Sequence, residues 1–206
     1  MEELQIQPEL LKAVKELGYQ EPTKIQKAII PYIKQGIDVV GQAKTGSGKT
    51  AAFGLPILER IEAGKGIQAL ILAPTRELAE QITKELIKFS RYKRCFVVSI
   101  YGGVSINPQI DILLKADIVV GTPGRVLDHI NRNTIDLTRV RFAILDEADR
   151  MLDMGFIDDV KDILKRLPRN RQTMLFSATI PQEIEKLTKN FMTNPKKIVT
   201  STKVEK

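Results

Sequence analysis

The sequence predicts an α/β fold, a mostly parallel sheet with helices on both of its faces. Three observations lead there. Short runs such as Ala69-Leu70-Ile71-Leu72 and Ile118-Val119-Val120 are apolar almost throughout, as strands are when both faces of a sheet are covered. Amphipathic stretches of helical length separate these runs, the alternation that builds parallel strands through helical crossovers. Polar or glycine-rich clusters follow the runs, and in such sheets ligands collect beyond the carboxyl ends of the strands.

Pro8 to Leu17 carries Leu10, Leu11, Val14 and Leu17 at helical spacing, and Gly18 closes it. Tyr19-Gln20-Glu21-Pro22-Thr23 turns into a second helix holding Ile25, Ala28, Ile29 and Ile33. Gln26 follows Ile25 and points to a different face. It reads as an ordinary surface residue, unless its amide, which donates and accepts together, meets an adenine edge. Asp38 to Gln42 is a short strand that breaks into Ala43 to Thr50, and helix resumes from Lys49 through Ile61, with Gly64 and Gly66 at the exit. Gln68 to Ala73 is the next strand; Pro74-Thr75-Arg76 ends it before a helix from Glu77 to Phe89. A strand from Cys95 to Tyr101 stops at Gly102-Gly103, and a helix from Asn107 to Lys115 leads to the strand Asp117 to Gly121. Thr122-Pro123-Gly124-Arg125 opens the next helix. Arg141 to Leu145 is a strand ending in Asp146-Glu147-Ala148-Asp149, followed by a helix from Phe156 to Leu167 and a strand from Thr173 to Phe176. Ser177-Ala178-Thr179, a helix from Pro181 and a strand near Lys197 to Thr200 complete the domain, and Ser201 to Lys206 reads as a loose tail or linker.

Composition bounds the function. A length of 206 residues fits one domain with a sizeable core. One cysteine, Cys95, excludes an internal disulfide and fits a reducing compartment. No basic-then-apolar leader follows Met1, and no apolar run approaches membrane-spanning length, so the expectation is a cytoplasmic protein with no membrane partner. A formal charge of +7 favours a polyanionic partner such as nucleic acid. With no Trp and four Tyr, the grip should fall on phosphates and sugars, with little sequence preference.

Two clusters carry chemistry. In the loop Ala43-Lys44-Thr45-Gly46-Ser47-Gly48-Lys49-Thr50, successive backbone N–H groups turn inward to meet the positive end of the following helix, a cradle for a polyphosphate. Lys49 then reaches the β- and γ-phosphates, and the Thr50 hydroxyl takes a Mg²⁺ position. The pattern for such loops is G-x-x-x-x-G-K-[ST], and Ala43 stands where its first Gly is expected. The bland alternative is a ligand-free glycine-rich turn. Asp146 and Glu147 close a buried strand, a costly place for adjacent carboxylates unless a cation or solvent meets them. Asp146 suits a Mg²⁺ bridging the β- and γ-phosphates, and Glu147 suits a group that orients and deprotonates the attacking water. Lys49, Asp146 and Glu147 are therefore the candidate catalytic residues. His129, the single histidine, reads as a packed or solvated residue. Cys95 reads as a core residue whose basic neighbours would lower its pKa.

Asp146-Glu147-Ala148-Asp149, preceded by Ala43 to Thr50 and followed by Ser177-Ala178-Thr179, resembles the signatures of a DEAD-box ATP-dependent RNA helicase. Gly18-Tyr19-Gln20-Glu21-Pro22-Thr23-Lys24-Ile25-Gln26, Pro74-Thr75-Arg76-Glu77-Leu78-Ala79, Gly102-Gly103 and Thr122-Pro123-Gly124-Arg125 extend the resemblance over nearly the whole chain. It implies a RecA-like fold over residues 1–200, with residues 1–26 as an adenine-reading segment containing Tyr19, Thr23 and Gln26. Pro74, Thr75, Arg76, Gly102, Gly103, Thr122, Pro123, Gly124 and Arg125 fall where the family grips one RNA strand. Asp149, Ser177 and Thr179 are similar to the residues that link the ATP site to RNA; the alternative is that Ser177-Ala178-Thr179 caps the helix near Pro181. ATP and Mg²⁺ are the implied cofactors, RNA the implied partner and a monomer the expected state. The family's enzyme has a second RecA-like domain that supplies arginines to the γ-phosphate. None is recognisable here, so the chain is expected to be the amino-terminal half of a longer protein, with 201–206 opening the interdomain linker. Alone it should bind nucleotide weakly and turn over little. Met1 stands where the family usually places an aromatic. The competing expectation is a nucleotide-dependent RNA-binding or scaffolding module that never turns over.

Overall fold

The computed structural model describes residues 1–200; the expected tail or linker, 201–206, lies outside them. Among the described residues, seven strands form one sheet in the order β3-β4-β2-β5-β6-β1-β7. They are β1 (Val39–Gln42), β2 (Ala69–Leu72), β3 (Val97–Ile100), β4 (Ile118–Gly121), β5 (Phe142–Leu145), β6 (Gln172–Ser177) and β7 (Lys196–Val199). Every pairing is parallel, so the sheet is wholly rather than mostly parallel.

Side-chain alternation divides the core. Ala69, Ile71, Phe142 and Ile144 face one layer, with the helices α1 (Pro8–Glu16), α2 (Lys24–Lys34), α3 (Lys49–Arg60) and α4 (Arg76–Phe89). Leu70, Leu72, Ala143 and Leu145 face the other, against α5 (Asn107–Leu113), α6 (Pro123–Asn131), α7 (Ala148–Asp153), α8 (Ile157–Arg166) and α9 (Gln182–Phe191). β2, β4 and β5 are buried at every position, which is why their sequences show no polar alternation.

The expected elements all form, with ends moved by no more than two residues. The β3 strand starts at Val97, not Cys95, because the Phe96 N–H is taken by the Asp117 carboxylate (2.8 Å). A short helix, α7, directly follows the acidic cluster where the sequence showed no helical periodicity. Pro181 caps α9 without a side-chain hydrogen bond, so Ser177-Ala178-Thr179 does not serve as its cap. Met1 is buried in the core layer on the α1 side.

Candidate nucleotide and nucleic-acid site

The carboxyl ends of β1, β5 and β6 are neighbours, and they place the two expected clusters side by side. β1 runs into the loop 43–48, whose start is tied to β6 by the Ala43 N–H donating to the Ser177 carbonyl (3.1 Å). Gly48 must be glycine. Its φ is +86°, and a Cβ there would lie 2.6 Å from Gln26 Nε2 and 2.9 Å from Thr23 Oγ1. No side chain caps α3, so its first N–H groups have no intrahelical partner and suit an anion.

Lys49 opens α3, and its Nζ lies 2.9 Å from Asp146 Oδ1 and 3.9 Å from Glu147 Oε1. Asp146 is fully buried at the end of β5, and its backbone N–H donates to the Leu72 carbonyl (2.9 Å). Burial pushes the Asp146 carboxyl above its ordinary value, and the Lys49 ammonium opposes that rise. The second carboxylate oxygen, Oδ2, is buried with no hydrogen-bond partner among the described residues, as is Ser47 Oγ. An orphaned carboxylate oxygen beside a phosphate-type loop fits a hydrated Mg²⁺, which is held by few protein ligands and many waters. Thr50, half-buried one residue after Lys49, offers the second oxygen.

Glu147 is left-handed (φ +51°, ψ +52°), unusual for a residue with a Cβ, and this bend separates its carboxylate from that of Asp146. Its Oε1 accepts from Thr45 Oγ1 (3.3 Å) and its Oε2 lies 3.5 Å from Arg150 Nη1. Ala43, Thr45, Lys49, Glu147, Asp149, Arg150, Asp153 and Ala178 line an open cleft of about 330 Å³. The loop is thus not plugged by its own side chains. Lys44, Thr45 and Gly46 are exposed at its tip.

Asp149 joins the ends of β5 and β6. Its N–H donates to Ser177 Oγ (3.0 Å), and its Oδ2 accepts from Thr179 Oγ1 (3.0 Å) and the Thr179 N–H (3.1 Å). Burial works to raise the Asp149 carboxyl, but the bonds from Thr179 and Ser177 outweigh it and hold it below the ordinary carboxylate range.

Gln26 is fully buried rather than on the surface. It forms a capping box with Thr23: Gln26 Oε1 accepts the Thr23 N–H (3.0 Å), and Thr23 Oγ1 accepts the Gln26 N–H (3.4 Å). Gln26 Nε2 also donates to the Gly48 carbonyl (3.0 Å), so the amide fastens the α2 start to the phosphate loop. Tyr19 does not line the cleft; its ring packs edge-on against Phe89 with centroids 5.8 Å apart.

The remaining clusters follow β2, β3 and β4, on the same rim beside the cleft. Thr75 caps α4 by accepting the Leu78 N–H (3.2 Å), and Arg76 is exposed, its guanidinium carbon 4.6 Å from the Tyr101 ring centroid. Pro74 is buried, while Gly102, Gly103 and Gly124 are exposed and Thr122 and Pro123 open α6. Arg125 is turned inward. It donates to Gln109 Oε1 (3.1 Å) and the Val104 carbonyl (3.0 Å), so it braces the turn at Gly102-Gly103 rather than extending into solvent. Gln109, which sequence reasoning passed over, also accepts from His129 Nε2 through its Oε1 (3.0 Å) and donates to the Tyr101 carbonyl (2.9 Å). His129 is a packed residue in this network. Cys95 departs from expectation: burial pushes its thiol up to about 12, against the lowering effect of Lys93.

A family model for the DEAD/DEAH box helicases matches residues 23–187. The chain belongs to that family. It is 50% identical over 203 residues to the DEAD-box ATP-dependent RNA helicase CshA of Bacillus cereus, covering 98% of this chain and 39% of that one. The relative of the same name from Bacillus anthracis is also 50% identical, with 38% of its length covered. Among solved structures, a DEAD box protein from the hyperthermophile Methanococcus jannaschii superposes with a TM-score of 0.93 at 46% identity, over 95% of this chain and 54% of that one. A hypothetical ATP-dependent RNA helicase from Sulfolobus tokodaii gives 0.87 at 46% identity, over 93% and 56%. The fold of this DEAD-box domain is therefore RecA-like, and the chain spans about two fifths of the length of the curated relatives it matches. No helix among the described residues is long and apolar enough to cross a membrane.

Proposed function

We propose that this domain binds ATP with Mg²⁺ in the cleft between the loop 43–50 and the β5 end, and grips one RNA strand beside it. In a longer protein with a second RecA-like domain, it would drive ATP-dependent separation or remodelling of short RNA duplexes. One observation carries this reading: Lys49 and Asp146 lie 2.9 Å apart at the cleft, with the other Asp146 oxygen orphaned. The ammonium and the carboxylate hold each other where a triphosphate and its cation would replace them as partners.

The loop N–H groups and Lys49 bind the phosphates, and Tyr19, Thr23 and Gln26 belong to the segment proposed for adenine. Gln26 then acts by fixing Gly48, through which the adenine segment is tied to the phosphate loop. Thr50 and Asp146 would hold Mg²⁺, which when bound neutralises charge on the β- and γ-phosphate oxygens. Glu147, displaced from the Asp146 carboxylate by its left-handed backbone, orients and takes a proton from the attacking water. Asp149, Ser177 and Thr179 couple the β5 and β6 ends through the bonds described above, and so connect the nucleotide to the strand-binding half of the rim. Pro74, Thr75, Arg76, Gly102, Gly103, Thr122, Pro123 and Gly124 meet the RNA backbone, with Arg125 as the brace behind them. Without a second domain's arginines, hydrolysis by this chain is slow, since such a residue contributes on the order of a thousandfold or more in phosphoryl transfer.

ATPase assays with and without RNA test this, on the 206-residue chain and on a protein joining it to a second RecA-like domain. The joined protein should show RNA-stimulated turnover that Glu147→Gln abolishes while nucleotide binding persists. Turnover unaffected by Glu147→Gln, or robust turnover by this chain alone, would contradict the assignment.

A further inference from the structure

The chain's excess positive charge is concentrated away from the nucleotide cleft. Around the cleft, Lys44, Lys49 and Arg150 face Asp146, Glu147, Asp149 and Asp153, which leaves no cationic surplus. At the opposite rim, where the strands begin, the first residues of five adjacent strands are level: Val97 with Ile118, Ile118 with Ala69, Ala69 with Phe142, and Phe142 with Gln172. A cation precedes each of these strands at nearly the same distance. Arg94, Lys115, Arg139 and Arg169 each stand three residues ahead of the level position, and Lys65 stands four ahead.

Taken in sheet order these residues make a row, Arg94-Lys115-Lys65-Arg139-Arg169, in which every member is exposed. Four inter-strand steps of about 4.8 Å give the row a span of roughly 19 Å. None of the five forms a side-chain hydrogen bond or ion pair among the described residues, unlike Arg91, Lys93, Arg132 and Arg141 nearby. Lys65 and Arg139 stand between two hollows of about 440 and 320 Å³, and Arg169 borders a third of about 420 Å³.

The rim is also held rigid. Buried Asp117 accepts the N–H groups of Gly64 (2.9 Å) and Phe96 (2.8 Å), and buried Asp38 accepts those of Thr173 (2.9 Å) and Thr193 (2.7 Å). These carboxylates are spent on loop backbone, while Glu62, Asp111 and Asp136 are exposed acids in the segments that carry the row. The Arg139 stem packs over Gly66, where a Cβ would lie 3.3 Å from Arg139 Cδ. Phe96, 47% exposed beside Arg94, offers an aromatic face at one end of the row.

We propose that this cationic row is a second RNA-binding surface, independent of nucleotide, which holds the phosphate backbone on the side of the sheet away from the ATP cleft. A linear set of unpaired cations on a fixed scaffold suits a regularly spaced polyanion, and an aromatic face at its end suits a stacked base. RNA is favoured over an acidic protein or a lipid surface by that regular spacing. The inference shares its ligand class with the proposed function but rests on different residues.

Fluorescence anisotropy with a labelled single-stranded RNA of about 20 nucleotides, over a salt series and without nucleotide, tests it. The triple substitution Lys65→Gln, Arg139→Gln, Arg169→Gln should weaken binding about tenfold or more at low salt and reduce the log–log salt slope by about 2. Binding of a fluorescent ADP analogue, unchanged in the triple variant, shows that the fold is intact. Arg76→Ala serves as the comparison on the cleft rim. Loss on Arg76→Ala with no change in the triple variant overturns the row and leaves the proposed function standing. No RNA binding by the parent chain overturns both. Equal loss of binding to poly-glutamate or to anionic vesicles, with RNA unaffected, assigns the row to another partner and overturns the proposal.

Discussion

Substituting Lys49 by Met tests the electrostatic centre of the cleft. Met keeps the apolar stem and removes only the ammonium that lies 2.9 Å from Asp146 Oδ1. Asp146 is fully buried, and its remaining oxygen has no partner, so the variant holds an uncompensated carboxylate inside the protein. Breaking one side of a buried pair costs about 3–5 kcal/mol; the open cleft beside Lys49 places this case near the lower end, about 3 kcal/mol. The pH dependence carries a sign. Burial already raises the Asp146 carboxyl, and losing Lys49 raises it further. A carboxyl raised on folding favours the folded state at low pH and withdraws that stability as pH rises through the folded value. The deficit of Lys49→Met, measured by urea unfolding, should therefore be larger near pH 8 than near pH 5. Adding Asp146→Asn should recover most of it, because the double variant has no buried charge to leave unpaired. A deficit that is equal at both pH values, or that persists undiminished in the double variant, would refute the reasoning.

Two glycines of the phosphate loop should separate cleanly. Gly46→Ala meets open space at φ +81° and should cost only the left-handed backbone penalty, about 1 kcal/mol. Gly48→Ala at φ +86° must also displace Gln26, breaking its bond to the Gly48 carbonyl, and should cost about 2–3 kcal/mol by the same unfolding assay. Equal costs would remove the close-packing argument. Cys95, with its thiol near 12, should react with an aromatic disulfide reagent at pH 8 on the order of a thousandfold more slowly than in the urea-unfolded chain. Rapid labelling of the folded protein would show that burial does not protect it.

What the sequence displayed and what it hid follow from the range of the interactions involved. The strands were readable because both faces of β2, β4 and β5 are covered, which imposes an unbroken apolar run on a local stretch of chain. The pairing of Lys49 with Asp146 was readable because parallel strands put every cluster that follows a strand on one rim. Gln26 was not, since the surface that buries it is the carbonyl of Gly48, 22 residues away, and nothing in the helix around it signals that contact. The α7 helix was hidden by its six residues, too few to display a period. Arg125 and Arg76 look alike in sequence, yet one is braced against Gln109 and Val104 while the other is exposed. The row Arg94-Lys115-Lys65-Arg139-Arg169 was hidden for a third reason. Its order follows the sheet, β3-β4-β2-β5-β6, and not the chain, so residues scattered over more than a hundred positions become neighbours only through strand pairing. A net charge of +7 signals a polyanion without saying where it lies; the sheet order gathers five exposed cations on the rim opposite the nucleotide loop, and this makes the row separable from the cleft by substitution.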